Sequence, residues 1–98
     1  MSDELTDEEL DRIAARAAAS LPAPWQAFVE GRDHLGGDDF IRTGGPDVAA
    51  ADMYITLSYW NDEPPVPATA HVLDFVASAR QDVPRLIEEI RRLRRRSA

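Results

Sequence analysis

Cysteine is missing from the 98-residue chain. Its absence excludes disulfides, thiolate metal centres and a thiol nucleophile together, and it fits a reducing compartment. Lysine is missing as well, so every one of the 11 lysine-or-arginine positions is arginine. With the abundance of alanine, this is the mark of a GC-rich genome. Long apolar runs are lacking: nothing approaches the roughly 18 apolar residues of a membrane span, so no membrane partner is expected. The opening Met1-Ser2-Asp3-Glu4 is acidic, with neither the basic start nor the apolar stretch of a secretory signal behind it. A cytoplasmic location is the resulting expectation.

The apolar fraction is 44%, close to the globular average, and the length suits a single domain over residues 1–98. Such a chain buries only roughly 60–65% of its unfolded surface, so stability should rest on one small core, extended by self-association. The net charge of −7 is unevenly spread: residues 1–24 carry −4, residues 25–80 carry −6 and residues 81–98 carry +3. An acidic body repels phosphates, which argues against a broad nucleic-acid surface.

The first helix is announced by Thr6-Asp7-Glu8-Glu9, a capping box in which the Thr6 hydroxyl accepts from the Glu9 amide and Glu9 reaches back. Leu10, Ile13, Ala14 and Ala17 recur on one helical face, and Pro22 disfavours helical geometry at Leu21. Three strands are expected next, at Trp25–Glu30, Asp39–Thr43 and Met53–Trp60. Gly31, Gly36 and Gly37 supply the positive φ angles of a hairpin loop between the first two. In the third, Met53, Ile55, Leu57 and Tyr59 alternate with Tyr54, Thr56, Ser58 and Trp60, so one face meets the core. Asn61 to Pro65 reads as a loop. Two helices close the chain. One spans about Thr69 to Arg80, with Val72, Phe75, Val76 and Ala79 on one face. The other opens at Asp82 as N-cap, with Pro84 in its first turn. The expectation is an α+β domain in the order α-β-β-β-α-α, with a small antiparallel three-stranded sheet.

Residues 74–90, Asp-Phe-Val-Ala-Ser-Ala-Arg-Gln-Asp-Val-Pro-Arg-Leu-Ile-Glu-Glu-Ile, resemble the ending of small Ead-like proteins of phages, prophages and actinobacterial genomes. The alanine-rich first helix leading to Pro24-Trp25 resembles the same group. The resemblance covers about half the chain, at its two ends. It implies a source and an architecture, and no activity or catalytic residues.

Several constellations invite chemical readings. Gly36-Gly37-Asp38-Asp39-Phe40 is similar to the hairpin signature of diguanylate cyclases, but that chemistry needs a second metal-holding carboxylate from an upstream strand and a larger domain. The simpler reading is a turn whose aspartates bond local backbone. Asp33, His34, Asp38 and Asp39 crowd one short loop, yet their spacing matches no calcium loop, and no metal or other cofactor is expected. His71 and Asp74 can meet across one helical turn, but no serine or threonine sits in a nucleophile elbow. The chain therefore reads as non-catalytic.

Two surfaces remain. Val83, Leu86, Ile87, Ile90 and Leu93 form a stripe at alternating three- and four-residue spacing, which suits a dimer or partner contact, although it spans less than two heptads. Trp25, Tyr54 and Trp60 could form a ligand or partner surface, or lie beneath the first helix. Arg91, Arg92, Arg94, Arg95 and Arg96 crowd a helix end, where the dipole favours them. If the first and last helices pack antiparallel, these arginines meet the acids of residues 3–11. If not, Arg91, Arg94 and Arg95 are free for an outside anion. The expected function is protein–protein binding by a small accessory protein, with a homodimer as its working form. Sequestration of a small anionic ligand such as a nucleotide is the alternative.

Overall fold

The computed structural model describes residues 4–44 and 51–97 of the chain. The fold is α+β, in the order α1 (Asp7–Ala19), β1 (Gln26–Phe28), β2 (Phe40–Arg42), β3 (Asp52–Met53), β4 (Thr56–Leu57), β5 (Val66–Pro67) and α2 (Ala70–Ser97). The capping box forms as the sequence requires: Glu9 N donates to Thr6 Oγ1 at 3.0 Å and Thr6 N donates to Glu9 Oε1 at 3.1 Å.

Strands β1, β2 and β3 make an antiparallel meander, with Ala27 opposite Ile41 and Ile41 opposite Met53. These three side chains share the inner face, where Ala27 and Ile41 join Ala68, Leu73 and Ala77 in the core cluster. Gly36 and Gly37 both hold positive φ, at +78° and +89°. Consecutive residues there would strain any side chain bearing a Cβ, so the β1–β2 loop depends on this glycine pair. At the end of β2, the buried Thr43 hydroxyl donates to Ala51 O at 3.1 Å and accepts from Ala51 N at 3.2 Å.

Two expectations need correction. The single long strand over Met53–Trp60 divides into β3 and β4. Its inward alternation survives, since Met53, Ile55 and Leu57 are half-buried and Tyr54, Thr56 and Ser58 exposed, but Tyr59 is exposed too. The hydrogen-bonding partner changes along the segment. β3 pairs with β2, whereas β4 pairs with β5 in a separate two-stranded sheet, with Leu57 opposite Val66. Pairing with β2 stops at Met53, and Thr56 and Leu57 take their partners from the residues that follow Pro64-Pro65.

The two C-terminal helices are one. α2 runs for 28 residues with Pro84 inside it. Asp82 and Pro84 are sound local start signals, and an interior proline costs a hydrogen bond and a clash, about 3 kcal/mol. Packing overrides them, because Leu73, Ala77, Arg80, Pro84 and Ile87 fall in unbroken four-three spacing on the inner face. Buried Leu73 and Ala77 on one side of the proline and buried Ile87 on the other hold the helix through it. The face facing the sheet is therefore that of Leu73 and Ala77. Phe75, grouped by its spacing with Val72, Val76 and Ala79, is 75% exposed.

The shape is extended. The radius of gyration is 17.1 Å over 53 × 40 × 22 Å, whereas a compact domain of this length has about 13 Å. α2 alone is about 42 Å long at 1.5 Å per residue. Its first half lies on the meander and its second half projects beyond it, accompanied by α1, which contacts α2 and no strand.

Candidate functional site

α2 offers two faces to anything outside the sheet. Toward α1 it places Ile87, 4% exposed, while α1 contributes its one buried residue, Leu10. The helices run antiparallel, and the charged ends meet. Arg91 donates to Asp11 Oδ1 at 2.7 Å, and Arg94 donates to Asp7 Oδ1 at 2.8 Å and to the Leu5 carbonyl at 2.5 Å. Arg91 also reaches Glu88 at 3.4 Å, and Arg92 pairs with Glu89 along the same helix. Arg92 holds the Glu89 carboxyl below the usual glutamate range. Arg95 makes no ion pair among the described residues. Arg91 and Arg94, read from sequence as possible anion ligands, are thus engaged within the chain.

The other face carries the apolar stripe. With the helices fused, its spacing extends to Val72, Val76, Ala79, Val83, Leu86, Ile90 and Leu93, alternating four and three over three heptads; Val72 and Val76 at its start are half-buried and also pack against the core cluster. Of the five residues expected at a partner contact, Ile87 belongs to the seam with α1. Val83 and Ile90 are half-buried, and Leu86 and Leu93 are 61% and 49% exposed. Phe75, which the sequence spacing places on one face with Val72, Val76 and Ala79, lies beside them. The signal that distinguishes it was present: Phe75 falls in step with the polar Asp82, Glu89 and Arg96, not with Leu73 and Ala77. Between the stripe and α1 runs a groove of about 400 Å³ lined by Ile13, Ala17, Trp25, Phe75, Val76 and Ala79, with Arg16 and Arg80 at its rim. A larger depression beside Pro84 is lined by residues of α2 alone, so it has no facing wall to grip a ligand.

The three aromatics singled out in the sequence do not converge. Trp25 is half-buried at this groove; its indole Nε1 donates to Leu21 O at 3.1 Å. Trp60 is fully exposed in a turn. Tyr54 belongs to a cluster on the outer face of the meander that the sequence reading missed. There Phe28 and Phe40 stack at 5.2 Å, Tyr54 lies 5.7 Å from Phe40, and the Arg42 guanidinium sits 5.3 Å from both phenylalanine rings. Register explains the cluster, because Phe28 stands directly opposite Phe40. Arg42 is also clasped by Asp52 at 3.0 Å, which lowers the Asp52 pKa. The first helix does not cover this face. Its cation already occupies its rings, so little stacking surface remains for a planar ligand.

The β1–β2 loop is held by its own carboxylates. Val29 N donates to Asp33 Oδ2 and Glu30 N donates to Asp39 Oδ1, both at 2.8 Å. Arg32 donates two bonds to Asp74, at 2.9 and 2.8 Å, and ties the loop to α2. Asp33 is lowered first by the Val29 amide, and Asp74 first by Arg32. The aspartates thus act on local backbone, and Asp74 is taken by Arg32 instead of orienting His71. Among the described residues no group of three or more histidines and carboxylates is placed to hold a metal ion, and no helix is long and apolar enough to cross a membrane. No protein-family model, curated protein or solved structure matches the chain.

Proposed function

We propose that this chain is a small, non-catalytic accessory protein that works by protein–protein contact through the apolar stripe of α2. The exposure of Phe75, Leu86 and Leu93 along one helix carries the reading. Large apolar side chains left exposed along a helix suit an interaction site in a small domain, and these residues surround no cluster of reactive groups. The engagement of Arg91 with Asp11 and of Arg94 with Asp7 weighs against sequestration of an anion, since a ligand would have to displace two ion pairs. A cytoplasmic setting and kinship with Ead-like phage and prophage proteins belong to the same proposal. They are supported by the missing cysteines and by the likeness of residues 74–90.

Native mass spectrometry of the purified chain, with and without a small-molecule extract of cells, tests the reading. The expected spectra show no small-molecule adduct. A stoichiometric anionic adduct, lost in Arg91→Ala with Arg94→Ala, would overturn it in favour of ligand sequestration.

A further inference from the structure

Resting on that reading, we infer that the occupant of the α2 stripe is a second copy of this chain, packed with its own α2 antiparallel to the first. The surface area supports a missing partner of this size. The chain exposes 7485 Å², whereas a compact monomer of 10.9 kDa exposes about 5600 Å². A standard interface takes about 800 Å² from each partner, well within the difference. The spacing supports a helical partner: Val72, Val76, Ala79, Val83, Leu86, Ile90 and Leu93 form the three-four seam of near-aligned helices. That seam is about 30 Å long. α1, with 13 residues, flanks the stripe, with Ile13 and Ala17 across the groove from Val76, Ala79 and Val83, and is too short to cover its whole length. Among the described residues only α2 itself offers an apolar stripe of the same length and spacing.

Charge sets the direction. Residues 70–83 carry Asp74, Asp82 and Arg80, a net −1; residues 84–97 carry Glu88 and Glu89 against six arginines, a net +4. Parallel packing sets the two cationic halves side by side. Antiparallel packing sets each against the acidic half of the other copy and opposes the helix dipoles. Centring the two-fold between Pro84 and Arg85 gives three apolar layers: Val83 with Leu86, Ala79 with Ile90, and Val76 with Leu93 of the second copy. In this register Leu93 of each copy enters the groove that Ile13, Trp25 and Phe75 line on the other. The result is a four-helix layer with a meander at each end.

The chain's lack of cysteine makes the test direct. Light scattering at micromolar concentration should give about twice the chain mass, and Leu86→Asp with Leu93→Asp, both at exposed positions, should give the monomer with unchanged helix content. Val76→Cys and Leu93→Cys chains are then oxidised separately and as an exchanged mixture. Antiparallel packing sets like positions about 25 Å apart along the helices, so neither variant should cross-link alone and the mixture should form the mixed disulfide. Cross-linking of each variant with itself would show parallel packing and overturn the inference. So would a wild-type monomer, or a dimer that survives Leu86→Asp with Leu93→Asp. A monomer without a small-molecule adduct removes the second copy while leaving the protein-contact reading standing; an adduct removes that reading whatever the mass.

Discussion

The two halves of α2 are held by different physics. The first half lies on the meander, where Leu73 and Ala77 pack with Ala27, Ile41 and Ala68. The second half has α1 beside it, with Leu10 and Ile87 as the buried apolar side chains there among the described residues and ion pairs at 2.7 and 2.8 Å closing the end. A sheet presents a broad apolar face to a helix, whereas a 13-residue, alanine-rich helix presents a narrow one. The first half therefore shares in the core, with Phe75 left outside it, whereas the second is a narrower seam that leaves Leu86 and Leu93 exposed.

Substitutions in the core should have the largest effect. Ile41→Ala or Leu73→Ala, at 0% and 1% exposure, should each cost about 2–5 kcal/mol in denaturant titrations and unfold the whole chain together. At the junction of the halves, Pro84→Ala restores an amide donor and removes a clash. It should stabilise the chain by up to about 3 kcal/mol; a loss would show that a bend at this point is needed. Leu10→Ala should fall at the lower end of the cavity range, about 2 kcal/mol, and act locally. Hydrogen exchange should quicken in α1 while β1 and β2 stay protected. Equal quickening in the meander would erase the distinction between the halves.

Smaller effects should come from the charged end. Arg91→Glu with Arg94→Glu should destabilise the chain, and adding Asp7→Arg with Asp11→Arg should restore part of the loss, at about 0.2–1 kcal/mol per pair. Strict additivity of the two sets would show that the ends do not interact. Acid titration should separate the halves last. Asp33 and Asp74 are held below their ordinary range in the folded chain, so the unfolded chain binds more protons. Their contribution is complete above the ordinary aspartate value near 4 and is lost as pH falls through their lower folded values. Melting temperatures of Asp33→Asn with Asp74→Asn should therefore fall less steeply below about pH 4 than those of the unaltered chain.

Where a signal is local, the sequence expresses it fully. Thr6 and Glu9 marked the helix start, and Gly36 and Gly37 the hairpin loop; the meeting of the acidic and arginine-rich ends was one of two alternatives that only the antiparallel packing of α1 on α2 decides. What sequence reading missed depended on distant partners. Asp82 and Pro84 look like a helix start because nothing nearby shows that Leu73 and Ile87 share an inner face. The break after Met53 follows from the change of partner from β2 to β5, and the Phe28–Phe40–Arg42 cluster from the register of β1 with β2. Phe75 shares an apolar face with Val72, Val76 and Ala79 in its spacing yet stands exposed, because spacing alone does not show which part of a face is covered.

Gln81 has a consequence for solubility. Its side-chain amide accepts from Trp25 N at 2.8 Å and donates to Trp25 O at 3.0 Å, as a neighbouring strand would. Trp25 and Val29 point their backbone groups away from β2, and the Val29 amide is taken by Asp33. Two positions flanking Ala27 on the open margin of the meander are therefore already spoken for. Exposed strand margins are where β proteins add foreign strands and grow into aggregates. An incoming segment here would have to evict a glutamine and an aspartate to gain a foothold. The chain can thus leave an apolar helix open to association while the β1 margin of its meander is guarded against an added strand.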